Sequence, residues 1–252
     1  NIKTVLNGYE SPSPLDQKAR ELEMTIFLSM SPEQVLHTIE ETVRKCFHFK
    51  NIKFSSFKLA SFAVMRDVYA HKENFLLIDV DGEVTEISMV KKNVLRESVS
   101  YPLGCNFIIR KVASSLHSPL REAKSLVSLL KDGHAGREIA EKLDLVVSKV
   151  KKDWLLQFQQ SLANISNDIS VPSTIYLTVD KEMADFFSEI IKNEQFNQYT
   201  LTESKFEIIF LGAEVFEGMA VFGEKVAREP GLIIDSIYVN RFLINSNEMS
   251  KI

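Results

Sequence analysis

Two rhythms of apolar residues run along this chain: alternation with period two, which predicts strands, and recurrence every three to four residues, which predicts helices. Near the start, loop chemistry at Asn7-Gly8, Pro12 and Pro14 gives way to MTIFLSM, residues 24–30, whose apolar and β-branched content predicts a strand. Ser31 as N-cap, Pro32 at the first helical position and Gln34 closing a capping box then open an amphipathic helix. Its apolar face is Val35, Leu36, Ile39 and Val43. A second strand over 52–57 (IKFSSF) and a short, mostly buried helix over 59–70 follow.

The run FLLIDVDGEVTEISMV, residues 75–90, is apolar up to Asp79 and alternates after Gly82. Asp81-Gly82 are expected at the centre of a type I′ hairpin turn. VLRESVSYPL, residues 94–103, adds a third strand, and the short connections imply an antiparallel meander. A helix over 106–115 leads through His117-Ser118-Pro119 to a long helical region over 120–165, broken near Asp132-Gly133. Ile139, Leu143, Val146, Val150, Trp154 and Phe158 form its apolar stripe, as expected of a separate helical subdomain. After a polar connector at 166–172 come a strand over 173–179, a helix over 181–193, a strand over 206–211 and a last helix over 231–243. There is no internal repeat and no low-complexity tract.

Composition narrows the class. The chain has 252 residues, 45% hydrophobic and 25% charged, an ordinary balance for one large folded domain or two modest ones. A net charge of −4 argues against a general nucleic-acid surface, which needs clustered cations. Lys149, Lys151 and Lys152 are a local exception that reads as a solvated helix face. Cys46 and Cys105 lie on unrelated segments, which implies buried thiols and a reducing, cytoplasmic setting. No apolar run approaches the roughly 20 residues of a membrane span, and no secretory leader is seen. A first residue of Asn and not Met suggests a processed or truncated chain.

The acidic centre DVDGE admits three chemistries. A phosphatase loop would use Asp79 as nucleophile and Asp81 as proton shuttle, but it would continue into a loop and helix, whereas residues 84–90 alternate like a strand. There is also no later acidic pair to hold magnesium. An EF-hand calcium loop needs alternating oxygen ligands between helices, and Val84 and Ile87 interrupt them. A structural hairpin is the third. His37, His48, His71, His117 and His134 have no metal-ligand spacing, no serine sits in a G-x-S-x-G elbow, and no P-loop is present. No catalytic residue and no metal ligand is assigned.

Taken in order, five segments resemble bacterial actin-like proteins of the FtsA cell-division type. LNGYESPSPLDQKARELEMTIFL is similar to the stretch entering that family's small extra subdomain, and IKFSSFKLASFAVM to the strand and helix returning to its first large domain. FLLIDVDGEVTEISMV stands where the family carries its second phosphate loop, D-I-G-G-G-T-T-D-I. YPLGCNFIIRKVA resembles the P-x-G-G-N-x-I segment after it, and STIYLTVDKEMADFFSEII the strand, adenosine loop and helix near the end.

The resemblance implies an α/β fold: an actin-like (ribonuclease H-like) domain with a small strand-helix-strand subdomain and a helical insertion. It divides the chain into residues 1–53 (part of the small subdomain), 54–73 (end of the first large domain), 74–116 (second large domain), 117–170 (helical subdomain) and 171–252 (rest of the second domain). Asp79, Gly82, Thr85, Gly104 and Thr178 match nucleotide-binding positions residue by residue. Asp81 and Glu83 replace two glycines of the phosphate loop, and Val179, Asp180 and Lys181 replace those of the adenosine loop. Glu122 and Lys124 are rough counterparts of the helical subdomain's nucleotide contacts. The family's first phosphate loop would precede Asn1, and its C-terminal membrane anchor is not seen in LINSNEMSKI.

The expectation is therefore a divergent scaffold with a degenerate nucleotide site, more a pseudo-ATPase than an enzyme. It would act in cell division through self-association and protein partners, with no nucleic acid, no direct membrane anchor, and a place at the inner membrane only through partners. No cofactor is expected. The alternatives are a PilM-like pilus-assembly homologue, an ATP-binding protein holding Mg²⁺ through Asp79 and Asp81, and, remotely, a DxD phosphatase.

Overall fold

Asn7 and Gly8 both take positive φ, 51° and 86°, and turn β1 (Ile2–Leu6) directly into β2 (Tyr9–Glu10). The computed structural model describes residues 2–11, 13–48, 52–129, 137–166, 170–193, 205–223, 226 and 228–244. They fall into two units, Asn1–Ala60 and Ser61–Ile252. In the first, β3 (Leu22–Ile26) pairs antiparallel with β1 from Ile2↔Ile26 to Leu6↔Leu22, giving the order β2-β1-β3. Asn7-Gly8 is thus a hairpin turn, and β3 lies two residues earlier than its apolar run suggests because β1 fixes its extent.

Helix α1 (Glu33–Phe47) has Pro32 as N-cap without a side-chain hydrogen bond, so the Ser31 capping box does not form. None of its residues is buried, and Val35 and Ile39 of its apolar face are 48% and 44% exposed. The strand expected over 52–57 is also absent. Residues 52–56 carry no regular structure, and the Ser56 hydroxyl accepts the Leu59 N–H at 3.3 Å. Serine favours such a cap over a strand interior, and α2 (Phe57–Val68) begins there.

The second unit is a five-stranded sheet in the order β6-β5-β4-β7-β8. β4 (Phe75–Val80), β5 (Thr85–Lys91) and β6 (Val94–Tyr101) form the expected antiparallel meander. β7 (Thr174–Val179) and β8 (Glu207–Phe210) continue from β4 in parallel. β7 is buried at every position, as a central strand covered on both faces must be. The two-residue turn is Lys92-Asn93, with φ of 50° and 58° between paired Lys91 and Val94. The β4–β5 connection is not one. Val80 pairs with Thr85, leaving the four-residue loop 81–84, closed by the Asp81 N–H on the Val84 carbonyl at 2.9 Å.

Helices α3 (Cys105–Leu116), α4 (Leu120–Leu129), α5 (Arg137–Ser166), α6 (Ala184–Lys192) and α7 (Pro230–Tyr238) complete the unit. A 3-10 turn (Lys181–Met183) precedes α6, and a π-helical turn (Val239–Ile244) extends α7. Leu143, Val147, Val150, Trp154, Phe158 and Leu162 of α5 share one core with Leu76, Ile78, Ile87, Ile175 and Leu177 of the sheet. Val147 takes the buried place expected of Val146, which is only partly buried. The break near Asp132-Gly133 and the Ile139 side chain lie outside the described residues. Phe75 and Tyr176 meet edge-to-face in a separate cluster, their ring centroids 5.1 Å apart.

Candidate functional site at the β4–β5 loop

The loop 81–84 sits against the first turn of α3. Gly104, the N-cap of that helix, donates its N–H to the Glu83 carbonyl at 3.2 Å. Cys105 donates to the Asp81 carbonyl at 2.9 Å and Asn106 to the Gly82 carbonyl at 2.7 Å. A β-carbon on Gly104 would come within 2.3 Å of the Asp81 carbonyl oxygen, so glycine is required by close backbone approach. Within the loop, the Gly82 N–H binds the Asp81 carboxylate at 2.8 Å. The N–H groups of Asp81, Gly82, Gly104, Cys105 and Asn106 are therefore all engaged by the protein.

A phosphate cradle works by presenting such N–H groups to an anion. Here the helix terminus is satisfied instead by three carbonyls of the hairpin. These engaged donors do not fit a triphosphate.

Glu83 is also committed. Arg110 grips its carboxylate with both guanidinium nitrogens at 2.7 Å, and Asn106 adds a bond at 3.0 Å. The Arg110 and Asn106 hydrogen bonds hold the Glu83 carboxyl down to about 2. Asp79 goes the other way. It sits half-buried on β4, paired with Glu86 of β5 and Thr178 of β7. Burial, and then the neighbouring charges of Asp81, Glu86 and Glu229, push its carboxyl up to about 7. Glu229 itself caps α7 through the Gly231 and Leu232 N–H groups. Among the described residues no group of three or more His, Cys, Asp or Glu is placed to hold a metal ion.

Thr85 lies in the core, fully buried. Its hydroxyl donates to the Leu103 carbonyl at 2.8 Å and accepts the Trp154 indole N–H at 3.2 Å. Thr178 is buried too, at 8% exposure. Beyond β7, the Lys124 ammonium bridges Asp180 at 2.9 Å and Glu182 at 3.2 Å, and the hydrogen bond to Asp180 raises its pKa. Asp180 also caps the 3-10 turn through the Glu182 N–H. Glu122 is exposed on the first turn of α4.

A cavity of about 400 Å³ between α3 and α4 is lined by Asn106, Ile109, Arg110, Leu120, Arg121 and Lys124. Two of its three cations are neutralised at the rim by Glu83 and by Asp180 with Glu182. Sequence reasoning singled out neither Asn106, Arg110, Glu86 nor Glu229. Arg110 stands 27 residues from Glu83, and no local signal joins them.

No family model matches the chain, and no curated protein matches it. Among solved structures, it is similar to a chain of a PilM–PilN type IV pilus biogenesis complex. The TM-score is 0.63 at 11% identity, over 96% of this chain and 66% of that one. Weaker likenesses are MreB5 of Spiroplasma citri bound to AMPPNP (TM-score 0.44, 9% identity, 100% and 91% covered) and the ethanolamine utilization protein EutJ from Carboxydothermus hydrogenoformans (TM-score 0.38, 18% identity, 59% and 48% covered). The mixed sheet and its flanking helices form an actin-like α/β fold. This chain spans just under two thirds of the PilM–PilN chain it resembles. Among the described residues no helix is long and apolar enough to cross a membrane.

Proposed function

We propose that this chain belongs to a non-catalytic actin-like scaffold whose nucleotide site is degenerate and which works through protein contacts and self-association. One observation carries this: the N–H groups at the start of α3, which an anion would need, are donated to the carbonyls of Asp81, Gly82 and Glu83. The Lys124 bridge to Asp180 and Glu182 supports it, because Asp180 stands where the family's adenosine loop has a glycine. A cell-division role follows from the FtsA-type sequence words. A pilus-assembly role of the PilM type is the second possibility, favoured by the likeness to the PilM–PilN complex across 96% of this chain. In either role the protein is cytoplasmic and lies at the inner membrane through partners.

Isothermal titration of the full-length protein with Mg-ATP tests the degenerate site. No binding heat is expected. Micromolar binding would sink the idea and favour the rival in which Asp79 and Asp81 hold a magnesium ion for ATP.

A further inference from the structure

We infer that β3 is a self-pairing edge, along which two copies of this chain join antiparallel with Met24 at the dyad. This deepens the self-association in the proposed role and rests on it. β3 closes the sheet β2-β1-β3, and among the described residues no strand pairs with its outer side. The direction of its backbone groups follows from the register. Asn7 donates to the Glu21 carbonyl at 3.0 Å, and the same register continues through Leu6↔Leu22 to Ile2↔Ile26. Inward and outward groups alternate along an antiparallel strand. Glu21, Glu23 and Thr25 therefore face β1, while Leu22, Met24 and Ile26 direct their N–H and C=O groups outward.

Those same three residues carry the exposed apolar stripe, at 59%, 50% and 51% exposure. LEMTI contains no lysine, proline or bulge of the kind that normally protects an edge. Antiparallel pairing centred on Met24 sets Leu22 opposite Ile26 of the second copy and matches every outward group with an outward group. It also sets Glu23 opposite Thr25. A one-residue slip would oppose outward groups to inward ones. A two-residue slip toward the N-terminus would place Glu23 against its own copy, a like-charge pair that destabilises a ladder. Centred on Met24, and in no slipped register, all five residues of β3 pair within the strand, and a second copy of this chain is the occupant it fits.

Sedimentation velocity of the full chain over a range of concentrations tests this with two variants. Met24→Pro removes an outward N–H and leaves the bonds to β1 intact, as an edge strand tolerates. Met24→Lys opposes two like charges at the dyad without touching the fold of an exposed position. Dimerisation of the unaltered protein is expected to weaken at least about tenfold in both, with circular dichroism unchanged. Should Met24→Pro misfold, Met24→Lys decides. A dimer indifferent to the substitution overturns the β3 pairing and leaves the scaffold role standing. A strictly monomeric unaltered protein overturns the pairing and the self-association together, while the nucleotide titration reports independently on the degenerate site.

Discussion

Arg110 holds Glu83 by two parallel hydrogen bonds of 2.7 Å, reaching from the second turn of α3 to a loop 27 residues away in sequence. The pair neutralises an acid that would otherwise confront any anion at this loop, and it fastens the loop to the helix whose first N–H groups the loop already occupies. Arg110→Ala should therefore release the Glu83 carboxyl from about 2 toward its ordinary value of 4.5. Carboxyl-detected NMR titration of Glu83 in both proteins checks this. An unchanged midpoint would mean that the guanidinium does not hold the acid in solution. Because both groups are exposed, the thermal midpoint should scarcely move.

Gly104 gives a larger effect. Gly104→Ala would drive a methyl group into the Asp81 and Gly82 carbonyls, at 2.3 and 2.6 Å, which are backbone atoms that cannot swing aside. A loss of about 1–3 kcal/mol in urea unfolding is expected. Gly218, whose β-carbon would meet nothing within 4 Å but whose φ is +80°, makes a control for backbone strain without a clash.

The chain's single tryptophan reports on Thr85. Thr85→Val leaves the buried Trp154 indole N–H without its acceptor and the Leu103 carbonyl without its donor. The expected loss is about 1–3 kcal/mol, with Thr85→Ser restoring much of it. Denaturant unfolding followed by Trp154 fluorescence measures both.

Asp79 makes stability depend on pH. Its carboxyl stands near 7 in the folded protein against 3.8 for the free side chain, so the folded state holds its proton more tightly. That contribution is complete below about pH 4 and is lost as pH rises through about 7. Asp79→Asn should therefore stabilise the protein at pH 8 by at most about 4 kcal/mol, with little benefit at pH 4. Urea midpoints of both proteins at the two pH values provide the comparison. A gain that is the same at both would show that burial of Asp79 is not what shifts it.

Much of the second unit was legible because its strands and helices obey simple periods. The alternation after Gly82 placed β5, and the repeat from Leu143 to Phe158 placed the buried side of α5 to within one residue, Val147 for Val146. The first unit was harder. Asn7-Gly8 carries a strong hairpin signal, yet the flanking strands are only five and two residues long and lack alternation, so the turn looked like a loop. Ser56 shows the opposite fault: an apolar run resembled a strand, and one hydroxyl turned it into a helix cap. At the site, the acidic DVDGE run points to Asp79 and the family resemblance to Gly104. Arg110 with Glu83, and Trp154 with Thr85, join residues 27 and 69 apart, and only folding brings such partners together.

The amides of Gly82, Gly104, Cys105 and Asn106 are engaged by the protein itself. Their ¹H–¹⁵N resonances, followed while Mg-ATP is added to the full-length protein, report whether these bonds give way to phosphate. All four are expected to stay in place throughout the titration. Shifts that saturate at micromolar nucleotide would show that the loop opens to receive phosphate and that the nucleotide site is intact.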